Sequence, residues 1–167
     1  IGEDGNDVAP GETGEIYFLP NDGAGSTYHY LGAEPKRRPD GWESLGDIGR
    51  LDAEGYLYLG DRLADMILRG GANIYPAEIE AAIDSHPAVL ASVVIGLPDS
   101  DLGQRAHAIL EVRDGTAPLD LEALQRFLSA RLVSYKLPRS FETTTERLRD
   151  DSGKVRRGAL RDARVGG

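Results

Sequence analysis

Cysteine is absent from this chain, and methionine and tryptophan occur once each. Without thiols, neither a disulfide frame nor a thiolate metal site can form, which is compatible with the cytoplasm, the expected compartment. Long apolar runs are missing as well. The longest, around Val89 to Leu97, is far too short for a transmembrane segment, so none is expected. No internal repeat, low-complexity block or signal-peptide pattern is visible. The sequence opens at Ile1 on a polar, Gly-rich stretch without an initiator methionine or capping signal, and reads as part of something longer.

What is present is 167 residues, 40% hydrophobic and 28% charged, the composition of a globular protein. That length holds one ordinary domain, or one domain and part of another. The net charge of −9 is unevenly spread: residues 1–135 carry 10 basic against 23 acidic side chains, and residues 136–167 carry 9 against 5. A basic island on an acidic protein suits a small phosphorylated ligand, which needs only local charge. The acidic remainder would repel a nucleic-acid duplex, so no nucleic-acid partner is expected.

The expected fold class is α+β. Residues 1–61 read as a β-rich piece, with strands at Gly14–Leu19, Asp47–Leu51 and Tyr56–Leu59 and a hairpin turn at Asp52–Gly55. Asn21 to Asp40 reads as a loop. Residues 62–167 read as a compact domain of a hairpin plus a three-stranded sheet with helices. Ala64 to Leu68 is a candidate strand ended by Gly70-Gly71. Pro76 suits a first helical position, with Glu78 in the first turn and a stop near His86-Pro87. Strands are expected at Val89–Ile95, His107–Val112 and Ser140–Thr143. A helix capped by Asp120 carries Leu121, Leu124, Phe127, Leu128 and Leu132 at helical spacing, and a last helix runs from about Arg156 to Arg164.

Several short motifs carry chemistry. In Asp151-Ser152-Gly153-Lys154-Val155-Arg156-Arg157 a Ser-Gly turn holds a lysine out ahead of a basic helix, where it can meet an anion. Asp47 follows Gly46 at a hairpin entry; its carboxylate can accept hydrogen bonds from a ribose diol, or simply satisfy its own turn. Arg62 at the junction can clamp a phosphate or bind a carboxylate. Gly70-Gly71 gives either a chain reversal or close backbone approach to a thin ligand, and its spacing fits neither a dinucleotide nor a P-loop fingerprint. Tyr135-Lys136-Leu137-Pro138-Arg139 can stack an adenine and meet its phosphates, or end the preceding helix. His29, His86 and His107 show no metal spacing and read as surface or packing residues. Trp42 reads as an anchor for the loop before Asp47.

In this order and spacing, Gly11-Glu12-Thr13-Gly14-Glu15-Ile16, Gly41-Trp42, Gly46-Asp47, Gly70-Gly71-Ala72-Asn73-Ile74-Tyr75-Pro76-Ala77-Glu78 and Ser152-Gly153-Lys154 resemble the carboxyl-terminal part of the AMP-forming acyl-CoA synthetases. These belong to the adenylate-forming enzymes, and the nearest likeness is to the fatty-acid and aryl-acid CoA ligases. The resemblance covers nearly the whole chain. It implies a small mobile domain at 62–167 behind the end of a large adenylation domain at 1–61. It implies an acid–thiol ligase that uses ATP to turn a carboxylic acid, foremost a fatty acid, into an acyl adenylate. Rotation of the small domain then lets CoA displace AMP. By the same resemblance Asp47 matches the ribose-binding Asp and Arg62 a nucleotide-binding Arg. Lys154 matches the lysine of the adenylation step, Gly70 and Gly71 line the thiol's path, and Tyr135 and Arg139 lie near the CoA nucleotide. The hinge position, usually Asp or Lys, is Ala64; Leu45 and Leu148 stand where Thr and Pro are usual. Mg²⁺ is expected with ATP, and its carboxylate, the phosphate loop and the acyl pocket would lie upstream of Ile1, leaving this chain inactive by itself. The alternatives are loading of a carrier protein and a non-catalytic interaction module.

Overall fold

A computed structural model describes residues 1–2, 4–21, 36–115 and 118–165. The chain divides into two compact units, Ile1–Ala64 and Asp65–Gly167. In the first, strands β1 (Gly14–Phe18), β2 (Lys36–Arg37), β3 (Glu43–Leu51) and β4 (Leu57–Arg62) form an antiparallel sheet in which β3 pairs with all the others. The expected Asp52–Gly55 turn joins β3 to β4, with Gly55 at φ +86°. Asp52 accepts the Glu54 and Tyr56 amides on one carboxylate oxygen. Gly49 is required for a different reason: a Cβ there would come within 2.3 Å of the Tyr58 carbonyl across the hairpin. Strand β2 lies inside the segment expected to be loop; His29 and most of that segment lie outside the described residues.

Among the described residues the second unit is a five-stranded sheet with three α-helices. Strands β5 (Ile67–Arg69) and β6 (Ala72–Ile74) make a tight hairpin, and β7 (Ala91–Asp99) and β8 (Gly103–Glu111) a long one. Strand β9 (Ser140–Thr144) runs parallel to β8, and the sheet order is β6-β5-β8-β7 with β9 beside β8. The expected three-stranded core is thus extended by β5 and β6, which join it through a single pairing of Arg69 with Gly103. The candidate strand at Ala64–Leu68 is corrected: Leu63–Asp65 is a 3₁₀ turn, and extended backbone begins at Ile67. Only from there does side-chain direction alternate, with Ile67 and Arg69 buried and Leu68 exposed.

Alternation along β7 and β8 builds two cores. Val94, Ala106, Ala108 and Leu110 face helices α1 (Pro76–Asp84) and α2 (Leu121–Ser129), where Ile79, Ile83, Leu124 and Leu128 are fully buried. Val93, Ile95, Leu97 and Ile109 face the other way, against Leu148 and Val155 of the segment leading into α3 (Arg157–Val165) and Leu160 within it. Pro76 opens α1 and Glu78 sits in its first turn; Asp120 caps α2 by accepting the Ala123 amide at 2.9 Å. No helix of the described residues is long and apolar enough to cross a membrane.

All described α-helices belong to the second unit, so far-UV helical dichroism reports on that unit. Leu128→Ala deletes a fully buried side chain and is expected to lower the urea stability of the helical transition by about 2–5 kcal/mol.

Candidate functional site

In the first unit the strand register brings Asp47 opposite Arg62. Gly46 at φ +76° and a bulge after Asp47 shape this end of the hairpin. The Arg62 Nε lies 3.6 Å from Asp47 Oδ1, and the Arg62 side chain is 75% exposed. So exposed a pair adds little stability, but it offers a carboxylate acceptor and a guanidinium donor side by side, the chemistry for a diol next to a phosphate. Neither residue lines the cavity of about 450 Å³ that Trp42, Tyr17 and Leu51 help to form. Ala64 is exposed at the end of the unit.

In the second unit the lysine turn is built by one side chain. Asp150 Oδ1 accepts the Ser152 amide at 2.9 Å, the Ser152 hydroxyl at 2.7 Å and the Lys154 amide at 2.9 Å. The Gly153 amide bonds the Asp150 carbonyl, and Gly153 takes φ +77°, a conformation that side chains resist. The Ser152 hydrogen bond, followed by the Lys154 amide, holds the Asp150 carboxyl below its usual pKa. The Lys154 ammonium makes no hydrogen bond or ion pair among the described residues, and it is exposed. It borders a groove of about 470 Å³ along α3, shared with Arg156, Arg164, Glu142 and Glu146.

Gly70 and Gly71 form the two-residue tip of the β5–β6 hairpin, at φ +57° and +83°. Two consecutive left-handed residues are what such a turn requires. A Cβ on Gly70 would press on Leu102, while one on Gly71 would meet open space. Tyr135 is tied to the same end of the sheet, because buried Arg69, next to Gly70, donates to the Tyr135 carbonyl. The Tyr135 ring is exposed, with the Lys136 ammonium 5.8 Å from its centroid. Arg139 is exposed too, held by its amide on the Ala106 carbonyl. The described residues contain no His/Asp/Glu cluster fit to hold a metal ion.

These groups gather at two opposite ends of β8. The glycine hairpin is anchored at Leu102 and Gly103, whereas Leu148 and Arg149, leading into the lysine turn, are anchored at Glu111 and at Ser92, the partner of Leu110. Gly103 and Leu110 are seven residue steps apart along β8, roughly 24 Å.

One arrangement carries no signal in the sequence. His107 is buried, with Nδ1 2.8 Å from the Ser140 hydroxyl and Nε2 3.4 Å from Glu142, which Arg164 grips with two bonds of 2.7 Å. Burial pushes the His107 pKa down, against the opposing pull of Glu142; Arg164 and Arg105 add to the lowering. The fold therefore holds neutral imidazole, and its stabilisation is lost as pH falls from the unfolded value of 6.5 toward the lower folded one. The Tm of the wild-type chain is expected to fall between about pH 7 and 5, and more steeply than that of His107→Gln, as measured by thermal melts across that range.

Residues 78–154 match the model of the AMP-binding enzyme C-terminal domain. The chain is 40% identical over 166 residues to a 2-succinylbenzoate–CoA ligase of Bacillus velezensis, covering 99% of this chain and 34% of that protein. It is 37% identical to a fatty acid–[acyl-carrier-protein] ligase of Streptomyces coeruleorubidus, covering 97% of this chain and 31% of the relative. The structure of o-succinylbenzoate CoA synthetase from Bacillus subtilis with its acyl-adenylate intermediate superposes with a TM-score of 0.79 at 38% identity, over all of this chain and 34% of that one. The chain thus spans about a third of the length of these relatives. Residues 78–154 thus match the C-terminal domain of the AMP-binding enzymes, and nearly the whole chain is similar to about a third of these CoA and carrier-protein ligases.

Proposed function

From that similarity we propose that this chain is the carboxyl-terminal portion of an ATP-dependent acid–thiol ligase that converts a carboxylic acid to its acyl adenylate and then to the CoA thioester. The observation that carries the reading is the exposed Lys154 ammonium, without a hydrogen bond or ion pair among the described residues, on a turn braced by Asp150. Attack of a carboxylate on the α-phosphate of ATP brings two anions together. A cation already in position stabilises the charge that develops, and needs no reorganisation to do so. Asp47 and Arg62 hold the ribose and a phosphate. The family's domain rotation then exchanges the lysine end of the second unit for the glycine end. Gly70 and Gly71, bare of side chains, admit the pantetheine arm, with Tyr135 and Arg139 toward the CoA nucleotide. Mg²⁺ accompanies ATP and neutralises its phosphates, with ligands outside these residues. Ala64 serves as the hinge between segments 1–61 and 62–167; a small residue there absorbs the backbone change without a side-chain latch.

Relatives named for aryl and for fatty acids support a carboxylic acid of either kind. The carrier-protein ligase among them supports a second reading, in which the acceptor thiol sits on a carrier protein. Replacing CoA by pantetheine separates the two, since a CoA ligase loses most of its rate and a carrier-loading enzyme was never using the nucleotide.

In the full-length enzyme Lys154→Ala is expected to lower acid-dependent ATP–pyrophosphate exchange by about 10²–10³, measured with a panel of short, long and aromatic acids. Exchange indifferent to Lys154 would refute the assignment and favour a non-catalytic module. The purified 167-residue chain is expected to release no AMP from ATP with any of these acids.

A further inference from the structure

Among the described residues strand β7 is the edge of its sheet, and no strand pairs with the outward backbone groups of Ser92 and Val94. Side chains satisfy them instead. From α1, the Glu80 carboxylate reaches over and accepts the Val94 amide at 2.8 Å. From the opposite face, the Arg149 Nη2 approaches the Ser92 carbonyl at 3.4 Å and the Arg157 Nε the Val94 carbonyl at 3.4 Å. The two guanidiniums then close on the same carboxylate, Arg157 on Oε1 at 2.5 Å and Arg149 on Oε2 at 3.2 Å. Glu80 is 5% exposed.

Arg149 and Arg157 stand on either side of the lysine turn, five residues before Lys154 and three after it. Arg149 also reaches the Gly153 carbonyl inside the turn, at 3.4 Å. One buried carboxylate therefore fixes both ends of the segment that carries Lys154 and pins them to the strand edge. We propose that Glu80 is a positioning residue for Lys154, setting the reach of the ammonium in the adenylation step without touching substrate. This rests on the role given to Lys154 above.

The physical case is one of geometry rather than stability. Buried ion pairs add little net stability, because desolvation offsets the attraction, but they fix where charged groups lie. A forked guanidinium fits a carboxylate in few orientations. Such a tether matters most for a short exposed turn with no core of its own, and Ser152, Gly153 and Lys154 are all exposed. The glycine hairpin at the far end of β8 shares none of these contacts, so disturbing Glu80 should leave it alone.

The test uses Glu80→Gln, whose amide oxygen can still accept the Val94 amide but cannot balance two guanidiniums, and Glu80→Asp, which keeps the charge with a shorter reach. In the 167-residue chain, ¹⁵N order parameters of Ser152 to Lys154 are expected to fall from the rigid range near 0.85 toward about 0.6 in Glu80→Gln, with those of Ile67 to Ile74 unchanged. In Glu80→Asp they should fall less. In the full-length enzyme Glu80→Gln should slow ATP–pyrophosphate exchange on the order of 10-fold or more while changing CoA thioester formation from preformed acyl adenylate by no more than about twofold. Unchanged order parameters at the turn would overturn the proposal, as would loosening of both ends alike or equal loss of both half-reactions, the marks of a merely structural residue. If the wild-type enzyme performs neither half-reaction, the functional reading fails, and the order parameters still decide whether Glu80 positions the turn.

Discussion

A single buried carboxylate, Glu80, joins three parts of the second unit that chain connectivity does not hold together: helix α1, the open edge of β7 and the segment leading into α3. Sheet edges must be paired, covered or charged, or they become sites of aggregation. Here covering the edge and anchoring the lysine turn are done by the same atoms. The apolar packing of Leu148, Val155 and Leu160 against Val93, Ile95 and Ile109 brings the segment down onto the sheet, but hydrophobic contact is non-directional. Direction comes from the guanidinium forks. The rest of the site can then be local: Asp150 folds the turn, Gly153 supplies the left-handed residue, and Lys154 is left exposed.

Strand β8 connects that turn to the glycine hairpin. It is buried along most of its length and paired on both sides, to β7 and to β5 and β9. Such a strand does not bend to serve two sites in turn. With a cation at one end and a bare glycine hairpin at the other, a unit of this kind can serve two different steps only by presenting different ends to the substrate. The proposed movement suits a sheet whose anchors for the two segments lie roughly 24 Å apart along β8.

Much of this is legible in the amino-acid sequence wherever the signals are local. Pro76 with Glu78, Asp120 ahead of its helix, Asp52 to Gly55 and the Ser-Gly-Lys turn each act within a few residues, and the helices and hairpin stand where they point. The hairpin ended by Gly70-Gly71 is legible, but its strand β5 starts three residues later than expected, because a three-residue strand carries no readable period. The Asp47–Arg62 pairing depends on register across a bulged hairpin, which the two motifs do not state. Glu80 is invisible in its role: in sequence it is one more acid in a helix that starts with Glu78, and its partners lie 69 and 77 residues away. His107 lacks metal spacing and reads as a surface or packing residue. It is buried, and its link to Glu142 and Arg164 exists only where β8, β9 and α3 meet.

The central claim is that Lys154 and the glycine hairpin serve separate half-reactions from separate ends of one unit. The most direct test is single-turnover thioester formation from preformed acyl adenylate and CoA in the full-length enzyme, comparing Lys154→Ala with Gly71→Asn. Asn tolerates the left-handed backbone of Gly71 while adding bulk to its open face. The account predicts that the lysine variant stays within about twofold of wild type, while the glycine variant slows by roughly tenfold or more. Equal slowing of the two, or slowing of the lysine variant alone, would contradict it.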